Sequence, residues 1–141
     1  PSFIIDTTIS DAHGKFSFSP EKNDAWGYSC MAEKELYFDG QEFTADGNYA
    51  LTVTAYLYPQ AWLKIHVKNE IPYNESDKIA INGAITISFI GTEIDTTNVF
   101  TISGNDDNYI YWSITKNLIT TVFGDTIYIA AFDTTFYEIL Y

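Results

Sequence analysis

Residues 49–58, YALTVTAYLY, alternate with a period of two: Tyr49, Leu51, Val53, Ala55 and Leu57 fall on one side, and Thr52, Thr54, Tyr56 and Tyr58 on the other. Successive side chains of an extended chain point to opposite faces, so this pattern predicts a strand with one oily and one wet face. Residues 61–68 repeat it, with Leu63, Ile65 and Val67 predicted inward and Trp62, Lys64, His66 and Lys68 outward. No window sustains helical periodicity for three turns. The chain therefore reads as all-β.

Turn signals punctuate the rest. Asn82-Gly83 lies between apolar arms and predicts a tight hairpin, because both residues tolerate positive φ. Further turns are expected at Asp11–Gly14, Asp39-Gly40, Asp46–Asn48, Lys116-Asn117 and Gly124-Asp125, with the acidic segment SGNDDN over 103–108. A longer strand is expected around 27–38. Prolines occur only at 1, 20, 59 and 72, outside the expected strand interiors. The spacing predicts one domain over residues 1–141, an antiparallel β-sandwich of jelly-roll or immunoglobulin-like type with about ten short strands and no substantial helix.

Composition narrows the partners. A length of 141 residues with 46% hydrophobic content is enough for a core without disulfides or metals. No apolar run approaches the ~18 residues of a spanning helix, so membrane insertion is not expected. The seven basic residues are all Lys, and the net charge is −12. Such a field repels phosphate backbones, which argues against nucleic acid as a partner. Cys30 is the sole cysteine and reads as a small buried hydrophobe.

Asp-Thr-Thr occurs at 6–8, 95–97 and 133–135, at spacings unlike those of a solenoid. It suits the start of an exposed strand, while a cation gathered by Asp6, Asp95 and Asp133 is the functional alternative. Asn105, Asp106, Asp107 and Asn108, with Asp46 from another turn, supply hard oxygen donors of the kind calcium takes, without the EF-hand spacing. Catalytic signatures are missing: there is no G-x-S-x-G, no H-E-x-x-H and no cysteine pair at zinc spacing. With only His13 and His66, no three-histidine centre can form. The expected chemistry is not enzymatic. Asn74-Glu75-Ser76 is a glycosylation sequon that matters only on a eukaryotic secretory route.

What remains is surface. Tyr56, Tyr58, Trp62, Tyr109 and Tyr111, with Tyr128, are predicted on faces opposite the aliphatic stripes, where flat rings can stack on sugars or anchor an interface. Lys64, His66 and Lys68 concentrate positive charge beside Trp62 and would complement the acidic surface of an identical subunit. The apolar ends, PSFII and FYEILY, need partner strands in this molecule or a neighbour. The sequence thus points to an extracellular or particle-surface subunit that acts by adhesion or self-assembly into a homo-oligomer or filament. A glycan-binding, lectin-like module, with calcium as a candidate structural ion, is the alternative.

Overall fold

The computed structural model describes residues 7–17, 28–38, 40, 42–45 and 54–141. Among these residues there is no helix and there are nine strands: β1 Tyr28–Met31, β2 Glu42–Ala45, β3 Gln60–Lys68, β4 Lys78–Gly83, β5 Ile87–Ile90, β6 Asp95–Ser103, β7 Asp106–Lys116, β8 Ile119–Ile129 and β9 Thr134–Leu140. The all-β expectation holds, with nine described strands against the ten expected. They form a β1-β2 ribbon, a three-stranded sheet ordered β6-β3-β9 and a four-stranded sheet ordered β5-β4-β7-β8.

β3 carries the alternation the sequence predicts: Ala61, Leu63, Ile65 and Val67 are buried, while Trp62, Lys64, His66 and Lys68 lie on the other face. Pairing on both sides extends the buried stripe. Leu63 is opposite Phe100 of β6 and Thr135 of β9, and Val67 is opposite Ile139. From the other sheet, Ile79 and Ile81 of β4, Ile110 of β7 and Ile127 and Ile129 of β8 join the same cluster, so both sheets share one core. Branched aliphatics dominate it because they pack densely on a pleated surface.

The chain alternates between the sheets. Residues 69–77 lead from β3 to β4, residues 91–94 from β5 to β6, Gly104-Asn105 from β6 to β7, and residues 130–133 from β8 to β9. This routing sets β9 parallel to β3, whereas all the other strand pairs are antiparallel. The expected wholly antiparallel arrangement is corrected at that pair. FYEILY lies at the end of the chain and supplies most of β9, so its partner strand is in the same molecule. The PSFII end falls outside the described residues.

Several expected boundaries move. Residues 54–58 keep an alternating exposure but lie outside any strand, and 49–53 fall outside the described residues. The strand expected over 27–38 is only β1, four residues long. Gly124-Asp125 is not a turn but the middle of β8, which runs unbroken opposite β7. Gly124 is there because the Tyr109 ring crosses it, and a Cβ would come within 2.6 Å of the Tyr109 hydroxyl. Asn82-Gly83 is likewise strand rather than hairpin tip: both residues pair with β7, and Ile81 faces Ile87 across a wider turn. Gly83 takes a φ of +108°, and the Ala84 N–H reaches the Tyr109 carbonyl at 2.9 Å.

The real two-residue hairpin is one position later than expected, at Asn117-Leu118, with φ of 48° and 64°. Two positive φ values match a turn twisted like its flanking strands, and Asn suits that region where Leu does not. Leu118 is 95% exposed, so packing offers it no compensation. Leu118→Gly is therefore expected to stabilise the protein by about 0.5–1 kcal/mol, the relieved strain being partly offset by the looser unfolded chain. In the opposite sense, Leu63→Ala should destabilise by about 2–5 kcal/mol, as for buried leucines elsewhere. Urea unfolding of both variants checks the pair.

Candidate functional site

The outer face of the three-stranded sheet is built around His66. β3 lies between β6 and β9, so a central outward side chain has neighbours on both sides: His66 stands opposite Thr97 and Glu138. Its Nδ1 lies 2.9 Å from Glu138 Oε1 and its Nε2 2.9 Å from Asp95 Oδ1. Two carboxylates can both accept only if both ring nitrogens carry protons, so this geometry selects the imidazolium. The hydrogen bond to Asp95, then that to Glu138, holds the ring's pKa above its usual 6.5, against the opposing effect of burial. The same bond to His66 pulls Asp95 below 3.8. Phe136 stacks on the ring, with centroids 6.4 Å apart.

This changes the meaning of the expected basic patch. Lys64, His66 and Lys68 do share the face, but His66 is satisfied by two acids of its own sheet, and Lys68 lies 3.8 Å from Glu70. Around them stand exposed apolar side chains, Val99, Phe136 and Leu140, beside half-buried Trp62. The face is a strap in an apolar surround, neutralised at His66 and Lys68.

The expected tyrosines are exposed, but they do not make one platform. Tyr56 and Tyr58 precede β3, and Trp62 is on the three-stranded sheet. Tyr109 and Tyr111 are on β7 of the four-stranded sheet, their rings 6.0 Å apart and tilted by 30°. By register the same outer face carries Asn82 opposite Tyr111, Thr126 opposite Tyr109, and Tyr128 opposite Asp107.

Three of the calcium candidates, Asn105, Asp106 and Asn108, make hydrogen bonds within the chain. Asn105 Oδ1 accepts the Ala131 N–H, and its φ of 55° turns the chain from one sheet to the other. Asp106, Asp107 and Asn108 are strand, not loop. Buried Asn108 donates to the Ser103 and Asp106 carbonyls, and Asp106 Oδ1 accepts the Asp107 N–H. Asp46 lies outside the described residues. Among those described, no cluster of three or more His, Cys, Asp or Glu side chains is placed to hold a metal. Asp95 and Asp133 sit at opposite ends of β3, near Lys68 and Trp62, about 20 Å apart at strand rise. They do not converge, and Asp6 is outside the described residues. Both described copies of Asp-Thr-Thr mark strand starts. His13 sits in an exposed turn where Asp11 accepts its N–H, and Cys30 is half-buried in β1.

Two polar groupings carried no sequence signal. Asp77 is fully buried, and its carboxylate accepts the Tyr73 and Asn74 N–H groups and the Asn69 amide. Burial opposes its ionised form, yet these bonds and the nearby Lys116 ammonium leave its pKa below 3.8. Lys116 donates to Asn69 and to the Ile71 carbonyl and lies over the Tyr141 ring, closing this end of the core. Between the sheets, the Tyr137 hydroxyl donates to Asp125 at 2.7 Å, and burial with this bond pushes the phenol up to about 12.

Compared with protein-family models, curated proteins and solved structures, the chain matches none.

The strap around His66 makes stability depend on pH in a defined direction. A raised histidine pKa contributes stability that is complete below about 6.5 and is lost as pH rises through the folded value. A depressed Asp95 contributes stability present above 3.8 and lost as pH falls through its folded value. His66→Gln should therefore lose most relative to the parent near pH 5–6, with the gap narrowing on both sides. Melting curves across pH, with the ring titration followed by NMR, check this; a ring titrating at or below its ordinary value would contradict it.

Proposed function

We propose that this protein is a non-catalytic structural or adhesive subunit, extracellular or on the surface of a cell or particle, that works by self-assembly. In this reading the two larger sheets face one another as a sandwich around the common core, and the parallel β3–β9 pair departs from an all-antiparallel jelly roll. The carrying observation is the first eight residues of the edge strand β8. Every residue from 119 to 126 is exposed, including Ile119, Val122 and Phe123, and Leu118 stands at the tip. Apolar side chains on both faces of an exposed edge strand exceed the scattered exposure expected of a monomer surface. An exposed edge strand held by its sheet suits contact with another protein.

A second reading has its own support. Tyr109, Tyr111 and Tyr128 share a flat face with Asn82, Asp107 and Thr126, the mixture of rings and short polar groups that stacks and hydrogen-bonds a sugar. Light scattering of the native protein at micromolar concentration discriminates between them. Self-assembly is expected to give a mass well above that of one chain. A strict monomer whose glycan-array binding disappears in Tyr111→Ala would favour the sugar-binding reading instead.

A further inference from the structure

We propose that the free edge of β8 is the assembly surface and that its occupant is β8 of a second copy, added antiparallel so that two four-stranded sheets become one. This rests on the self-assembly reading and specifies how the contact is made.

The backbone defines which groups are available. The Ile129 carbonyl accepts the Asn105 N–H, on the β7 side, and the register from Asp106↔Ile129 to Lys116↔Ile119 runs without a bulge. N–H and C=O of one strand residue point the same way and alternate along the chain. Odd-numbered residues of β8 therefore bond to β7, while Thr120, Val122 and Gly124 present theirs to the open edge; the Thr126 N–H is taken by Asp125 Oδ1 at 2.8 Å. Among the described residues no strand pairs there. Of the usual protections the edge has only the inward charge of Asp125: no Lys, no Pro and no bulge occurs in its eleven residues.

Charge selects the occupant. The chain carries −12, so two copies repel over most of their surface, whereas residues 119–126 hold a single charge, Asp125. A cationic partner would be drawn to the acidic remainder; a neutral strip is where two like-charged molecules can approach. In two-fold pairing about Val122, each Asp125 faces the other copy's Ile119, and the two carboxylates are about 20 Å apart, roughly twice the Debye length. The other edges suit less: β5 is four residues long, and the outer faces of β6 and β9 carry the carboxylates that hold His66.

Val122→Pro tests the edge directly. The Val122 N–H faces outward, so proline removes a bond available only to a partner and leaves the β7 ladder intact. Val122→Lys, at a 65% exposed position, is the second variant and places charge on the edge without touching the backbone. Sedimentation velocity of the full chain and both variants is the measurement, with circular dichroism confirming the fold. The expected result is parental association weakened about tenfold or more in both variants, with slowed amide exchange at Thr120, Val122 and Gly124 in the associated parent. Association unchanged in folded Val122→Lys would overturn the β8 contact while leaving self-assembly standing. A parent that stays monomeric would overturn both.

Discussion

The structure depends on β3 being paired on both sides. A strand with neighbours left and right cannot shift register without moving Leu63, Ile65 and Val67 out of the core and exposing Trp62, Lys64, His66 and Lys68 to it, because one step reverses every side chain. β6 fixes that register from one side and β9 from the other. The outer face follows as a consequence. His66 meets Asp95 and Glu138 only because two strands, far apart in sequence, are held against the same residue at defined positions.

That strap also shows how an acidic chain can neutralise part of a cationic stripe from within its own fold. Outward Lys64, His66 and Lys68 look, in the sequence, like a patch awaiting an acidic surface. In the fold the acids arrive from within. Exposed pairs of this kind add little stability one at a time, but a ring with both nitrogens engaged is fixed in orientation, and Phe136 lies against it. The gain is in the definition of a face, with β6, β3 and β9 laced across their outer side as the aliphatic stripe laces them within.

The legibility of the fold followed the range of the interactions. Alternation in β3 was readable because burial acts on each residue separately, and the Asp11–Gly14 turn because its bonds are local. The parallel β3–β9 pair left no trace, since no turn joins the two strands and nothing within either records the partner. Gly124-Asp125 misled for a related reason. Glycine there reads as a break, but its role is to admit the Tyr109 ring from the neighbouring strand, a requirement written fifteen residues away. Asn82-Gly83 failed similarly, its glycine being demanded by the approach of the Tyr109 carbonyl. Among site residues, exposure of the tyrosines was legible by parity, whereas their division between two sheets was not. Glu138, Asp77 and Asp125 looked like any others among nineteen acids; only tertiary pairing distinguishes them.

A contrast within the four-stranded sheet bears on what the molecule is for. Near Asn108 and Ile127 the β7–β8 pair is core, with Ile110 and Ile129 fully buried. Toward Asn117 β7 stays packed, with Trp112 and Ile114 against the core and Lys116 on Asn69 and Ile71, while β8 beside it is exposed; its inner face is held by side chains from its neighbours: Phe123 stacks on Trp112, Trp112 meets Tyr137 edge-on, and Tyr137 donates to Asp125. An edge strand has a hydrogen-bonded neighbour on one side only, so such bracing helps to keep β8 extended. The bracing occupies the inner face and Tyr109 covers Gly124 on the outer one, which leaves the backbone edge as the part of the hairpin with hydrogen-bonding capacity still to use. Rigidity at the faces together with vacancy at the edge is the combination that strand addition requires, since an edge held straight in advance loses little conformational freedom when a second strand joins it.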